Sequence, residues 1–238
     1  MAALKRHKEV KTPLIYSEGS ADIMYIYYPS CNFQRFFPET AHRIRTYLEK
    51  QTNVRIAGCC KMTQDLPKDE DTIITICLSC MHLLEEMRPN IRQISLFEFL
   101  LTQENFIWPN LQGRVFTLQD CFRARGKHGL QDGVRACLIR SGAEIIEMPG
   151  NRDEETYCGT FMLHDPFPQT LKYAPKYFGG YLPEHLTILP REEWPAYMHT
   201  HIAQYPTREI VGYCNTCVRD AREAGADIYH LAELLFPE

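Results

Sequence analysis

Along the chain, short runs of β-branched and aromatic residues alternate with stretches whose apolar positions recur every three or four residues. IMYIYYPSC (residues 23–31) is a continuous apolar run ending at a turn, which predicts a buried strand. In ETAHRIRTYLEK, Ala41, Ile44, Tyr47 and Leu48 then share one helical face. VRIAGCC and DTIITICLSC predict two more strands. After the second, Leu83, Leu84 and Met87 continue a helical face begun at Cys80, until Pro89 ends it. IRQISLFEFLL closes this half.

The plan then restarts. GRVFTLQDC predicts a strand ending at Cys121, as the first ends at Cys31. DGVRACLIRSGA predicts a helix with Val134, Cys137 and Leu138 inward and Gly142 as its C-terminal stop. EIIEMPG is a strand leading to Cys158. REIVGYCNTC is a strand ending at Cys214 and Cys217, followed by the short helix VRDAREAG. Strands alternating with helices predict an α/β fold with mainly parallel sheets, in two pseudo-symmetric βαβ-type modules. The halves, 1–112 and 113–238, meet near WPNLQG. A long insertion at about 160–195, rich in Pro, Tyr and Gly, is expected to run as a surface loop serving as lid, binding loop or interface.

The 238 residues, 45% of them hydrophobic, suffice for a substantial core. A net charge of −4 with no basic run argues against nucleic-acid binding. The polar start, MAALKRHKEVKTPL, does not read as a secretory signal, and no stretch has the length of a membrane span. The expected location is cytoplasmic.

Against that setting, ten cysteines change the picture. In a reducing compartment such clusters point to metal or redox chemistry rather than a disulfide framework. Parallel strands deliver their C-terminal ends to one sheet edge, where α/β proteins build sites. Every cysteine except Cys137 lies at such a strand end. The first half collects Cys31, Cys59, Cys60, Cys77 and Cys80; the second collects Cys121, Cys158, Cys214 and Cys217. Four thiolates suit zinc or an iron–sulfur cluster, whereas five exceed what one tetrahedral zinc uses. Adjacent side chains in a strand point oppositely, so Cys59 and Cys60 share a site only if the chain turns, which Gly58 permits.

The arrangement resembles the cysteine-rich CCG-domain family, typified by the cysteine-rich iron–sulfur subunit of heterodisulfide reductase. The resemblance spans most of the chain and rests on YYPSC, GCC, CLSC, DCFRARG, IIEMPGNRDEETYCG and YCNTCVRDAREAGADIYHLAELLF. It implies two α/β modules, each with a non-cubane 4Fe-4S cluster on five cysteines. It also implies electron transfer to or from a thiol/disulfide or other small substrate, with flavin- or ferredoxin-type partner subunits. Two positions depart from the family pattern. Lys61 stands where the family has glycine, and Tyr157 stands where a second paired cysteine would precede Cys158. Module one thus retains five ligands and is expected to hold the non-cubane cluster. Module two retains four, for a 4Fe-4S cluster, a zinc or an altered site.

The remaining candidates have bland readings that carry more weight. Cys137 reads as a core residue. Arg123, Arg125, Lys127 and His128 read as a solvated basic loop, with charge compensation of a thiolate cluster as the functional alternative. Lys61 reads as a surface lysine, and His82 and His230 as packed histidines. His164 and Asp165, potential proton donors near Cys158, read as loop residues. The sequence thus points to an iron–sulfur oxidoreductase subunit acting within a multi-subunit complex. No Gly-rich dinucleotide fingerprint supplies electrons internally, so they come from a partner. The alternatives are a structural zinc protein of an assembly, a relay subunit without its own substrate, and a thiol–disulfide enzyme using Cys77/Cys80 or Cys214/Cys217.

Overall fold

A computed structural model describes residues 24–62, 67–163 and 168–238. In chain order the first half comprises β1 (Tyr25–Tyr28), α1 (Cys31–Phe36), α2 (Pro38–Leu48), β2 (Val54–Ile56), β3 (Thr72–Thr75), α3 (Leu78–Met87), β4 (Arg92–Ser95) and α4 (Leu96–Leu101). The second comprises β5 (Val115–Gln119), α5 (His128–Arg140), β6 (Glu144–Glu147), α6 (Pro168–Tyr173), α7 (Leu182–His185), α8 (Trp194–Ile202), β7 (Ile210–Gly212), α9 (Asn215–Glu223), β8 (Ile228–His230) and α10 (Leu231–Leu235).

These strands form two four-stranded parallel sheets with the same plan. The first has the order β2-β1-β3-β4 and the second β6-β5-β7-β8. Each half therefore opens on a strand that becomes central, and its cysteine-bearing first and third strands lie side by side, as in the pairings Tyr28–Thr75 and Gln119–Gly212. The central strands are sealed on both faces: all four residues of β3 and all three of β7 are buried, which explains their unbroken apolar runs. The α/β expectation with two modules is met.

The two sheets clasp each other through reciprocal helices. Helix α4 packs on α5, where Cys137 Sγ donates to the Phe97 carbonyl at 3.5 Å. Symmetrically, the end of α10 meets α1 and α2: Arg43 Nε donates to the Phe236 carbonyl at 2.8 Å, and the His230 ring lies 5.0 Å from both Phe33 and Phe37. Both clasping helices start with a capping box, Ser95 with Glu98 and His230 with Glu233. Cys137 is fully buried here, and burial pushes its thiol pKa up, as a core residue requires.

Two sequence expectations need correction. The insertion does not run as a loop. It forms 3-10 turns at Gly159–Leu163 and Arg191–Glu193, a π-helical turn at Tyr177–Tyr181, and helices α6, α7 and α8. Pro183 and Pro195 lie in the first turns of α7 and α8, where a missing N–H costs nothing. Strand β8 was not among the elements the sequence pattern predicts. Its three residues run directly into α10, so no turn residue separates strand from helix in the sequence. Among the described residues, no helix is long and apolar enough to cross a membrane.

Candidate functional site

The C-terminal ends of β1, β2 and β3 gather all five first-half cysteines. Cys31 opens α1, Cys77 caps α3, and Cys80 lies in the first turn of α3. Cys80 and its counterpart Cys217 thus sit on helices rather than in strands. Cys31 Sγ lies 3.6 Å from Cys59 Sγ, and Cys60, Cys77 and Cys80 shift one another's titration. The turn that brings Cys59 and Cys60 together is closed by the Met62 N–H donating to the Cys59 carbonyl at 2.9 Å. It does not depend on glycine, because Gly58 has no positive φ and a Cβ there would meet only Met62 Sδ, at 4.0 Å. Cys31 is exposed and Cys59 half-buried, while Cys60, Cys77 and Cys80 are buried.

The thiols polarise one another. The Cys80 thiol donates toward Cys77, which brings Cys77 down to about 6 despite its burial, with the Ser30 hydroxyl assisting. Cys60 is lowered by the same Cys80 contact, and the nearby Lys61 charge adds to it. Cys80 moves well upward, as donor to both neighbours. Burial, then the Cys59 contact, raises Cys31 to about 11. Ser30 adopts φ 61°, unusual for a non-glycine residue. There its hydroxyl caps α1 by accepting from Phe33 N–H at 3.3 Å.

The second half closes its group more tightly. Cys121, Cys214 and Cys217 bring their sulfurs within 4.8 Å of one another, and all three are buried. Cys158 Sγ lies 4.0 Å from Cys121 Sγ. This buried group could hold a metal ion. Sulfurs on a tetrahedral zinc, with bonds of about 2.3 Å, stand about 3.8 Å apart. The 3.6 and 4.0 Å separations bracket that spacing. The donors are thiols throughout, the chemistry of zinc or iron–sulfur binding.

Tyr157, at the position matching Cys59 of the first half, does not approach as a ligand. It is fully buried, its hydroxyl donates to the Cys217 carbonyl at 3.2 Å, and its ring stacks on His201 with centroids 4.2 Å apart. Behind it, Glu155 accepts from the Thr156 and Tyr157 N–H groups and from Gln119 Nε2, each at 2.8 Å.

Arg123 overturns its solvated-loop reading. It is 2% exposed, and its guanidinium donates to Cys158 Sγ and Cys214 Sγ, each at 3.2 Å. Burial opposes its charge, but the four surrounding thiols more than offset this, and its pKa rises well above the ordinary arginine value. The sequence offered charge compensation of a thiolate cluster as the alternative for the whole stretch, but nothing in RARGKH separates the one inward arginine from its neighbours. Its neighbours do face outward or sideways: Arg125 donates to the Glu155 carbonyl, Lys127 to Glu85, and His128 pairs with Asp153. A second residue missed by sequence is Arg135, buried on α5 between Asp120 and Glu147. Tyr213 OH joins it by donating to Asp120 Oδ1 at 2.8 Å, so the residue before Cys121 is firmly fixed.

His82 and His230 are packed, as expected. His82 Nε2 bonds the Arg123 carbonyl at 2.8 Å and its ring stacks on Tyr177 at 3.5 Å. His230 Nδ1 accepts from Ala232 N–H at 3.2 Å. His164 and Asp165 lie outside the described residues.

The fold and thiol groups together define a class: a two-module, cysteine-rich α/β protein with a buried group suited to a metal ion. Comparison with protein-family models, curated proteins and solved structures finds no match.

Proposed function

We propose that the chain is an iron–sulfur oxidoreductase component, similar in kind to the cysteine-rich subunit of heterodisulfide reductase. One observation carries this reading. Five cysteines gather at the C-terminal edge of the first sheet, more than one tetrahedral metal uses. Cys31, Cys59, Cys60, Cys77 and Cys80 would hold a non-cubane 4Fe-4S cluster. When bound, such a cluster supplies one-electron chemistry at the thiolates. The exposed Cys31 and half-buried Cys59 leave that site open to a small thiol or disulfide. The Cys80 thiol, assisted by Ser30, favours the thiolate form of Cys77 against its burial, the form a ligand needs. Cys121, Cys158, Cys214 and Cys217 are closed from solvent and would hold a relay 4Fe-4S cluster or a zinc. Electrons arrive from a flavin- or ferredoxin-type partner in the cytoplasm.

A second reading, structural zinc, is favoured at the second site by the close spacing of Cys121, Cys214 and Cys217. Iron and zinc quantitation on anaerobically purified protein, with EPR in the presence of small thiols, tests both. The redox reading predicts iron and a signal perturbed by a thiol. Two zincs and no iron would overturn it.

A further inference from the structure

One buried cation lies between the two cysteine groups. Besides its bonds to Cys158 and Cys214, Arg123 donates through Nη1 to Ser79 Oγ, and its Nη2 lies 3.5 Å from Thr216 Oγ1. The Phe161 ring covers the guanidinium, with Cζ 3.9 Å from the ring centroid. Ser79 and Thr216 occupy the same place in the two C-x-x-C segments, Cys77–Cys80 and Cys214–Cys217. A single guanidinium therefore bonds to both pseudo-equivalent helix starts. The pseudo-equivalent of Arg123 in the first half, two residues after Cys31, is Phe33, which carries no charge.

A guanidinium taken out of water needs an anion beside it. The groups beside the Arg123 guanidinium that can carry such a charge, once a metal is bound, are the sulfurs of Cys158 and Cys214, each 3.2 Å away. Four thiolates on a zinc ion or on an oxidised 4Fe-4S cluster carry a net charge of about −2. Two N–H···S bonds stabilise that charge, and stabilise it more once a further electron is added.

We propose that Arg123 is a positioning residue for the second site. It holds the charge of a thiolate-bound metal group there, raises the reduction potential of that group where the metal is iron, and ties the group to the first site through Ser79. The inference rests on the reading of Cys121, Cys158, Cys214 and Cys217 as metal ligands, and it applies to either metal.

The test uses the full chain, reconstituted anaerobically as wild type, Arg123→Lys, Arg123→Gln and Ser79→Ala, with iron, zinc and sulfide counted in each. Where the second site holds iron, its EPR signal is assigned by loss in Cys158→Ser and followed in a redox titration. The midpoint potential is expected to fall in Arg123→Gln, to recover in part in Arg123→Lys, and to fall less in Ser79→Ala, with metal retained. Where the second site holds zinc, metal content alone removes its relay role, and Arg123 is read by chelator competition. Zinc is then expected to leave Arg123→Gln about tenfold faster or more. An unchanged potential or release rate in Arg123→Gln overturns the proposal. Where that variant does not fold, Ser79→Ala decides in the same way. A wild-type second site that takes up no metal overturns it outright.

Discussion

Arg123 Nε stands 3.2 Å from Cys158 Sγ, while the carbonyl of the same arginine is held at 2.8 Å by His82 Nε2 from the first half. One residue thus touches a second-half thiol with its side chain and a first-half helix with its backbone. The two cysteine groups are consequently parts of one packed unit, and changes that loosen either half should be felt at both.

Arg135 supports that unit from below. It is 1% exposed, with Nη2 2.6 Å from Asp120 Oδ2 and Nε 2.7 Å from Glu147 Oε1. Arg135→Met leaves two buried carboxylates without their cation. We expect a loss of about 3–5 kcal/mol in urea unfolding, together with weaker metal retention at the second site. A loss under about 1 kcal/mol would show that the carboxylates find other partners.

Gly159 lets the chain turn directly after Cys158. Its φ is +59°, and a Cβ there would lie 2.5 Å from Asp220 Oδ2 and 3.1 Å from the Thr216 carbonyl carbon. Both the left-handed backbone and the crowding oppose a side chain. Gly159→Ala is expected to cost about 2–3 kcal/mol and to lower metal occupancy most at the second site, as read by denaturation and metal analysis.

Glu155 gives a pH signature. Burial, partly offset by its backbone hydrogen bonds, raises its pKa from 4.5 to about 7. From about pH 4.5 to 7 the folded chain keeps a proton that the unfolded chain has lost, so this group makes stability fall as pH rises. The loss is of order 3 kcal/mol at most across the window. Burial lowers His201 from 6.5 to about 4, giving the opposite slope below 6.5. The two are separated by comparing wild type with Glu155→Gln. The difference in unfolding free energy should shrink steadily over pH 4.5–7, and a flat difference would contradict the assignment.

Thiol accessibility separates the two sites. In metal-free reduced protein, iodoacetamide is expected to label Cys31 and Cys59 first, because Cys31 is exposed and Cys59 half-buried while the second-half thiols are buried. Metal loading should protect both. Peptide mass spectrometry showing Cys121 or Cys217 labelled first would contradict the open-site and closed-site distinction.

The inner sheet strands and the two thiol groups were legible because buried parallel strands read as unbroken apolar runs, and topology sends their ends to one edge, whereas the edge strand β8 was not. The insertion was misread for a physical reason: prolines taken as breakers instead occupy helix first turns, and Gly179–Gly180 lie inside a π-helical turn. Arg123 was legible only as one of four basic candidates, because what singles it out depends on Ser79 and Cys214, 44 and 91 residues away in the chain. The Tyr157-Cys158 departure from Cys59-Cys60 was legible, but the bond from Tyr157 to the Cys217 carbonyl was not.

The central claim is that the five-cysteine site holds iron. Metal analysis of anaerobically purified wild type beside a Cys59→Ser/Cys60→Ser variant tests it most directly. The account predicts at least about four irons per chain in wild type, with a four-iron complement lost in the variant. Zinc alone in wild type, or iron unaffected by the double substitution, would contradict it.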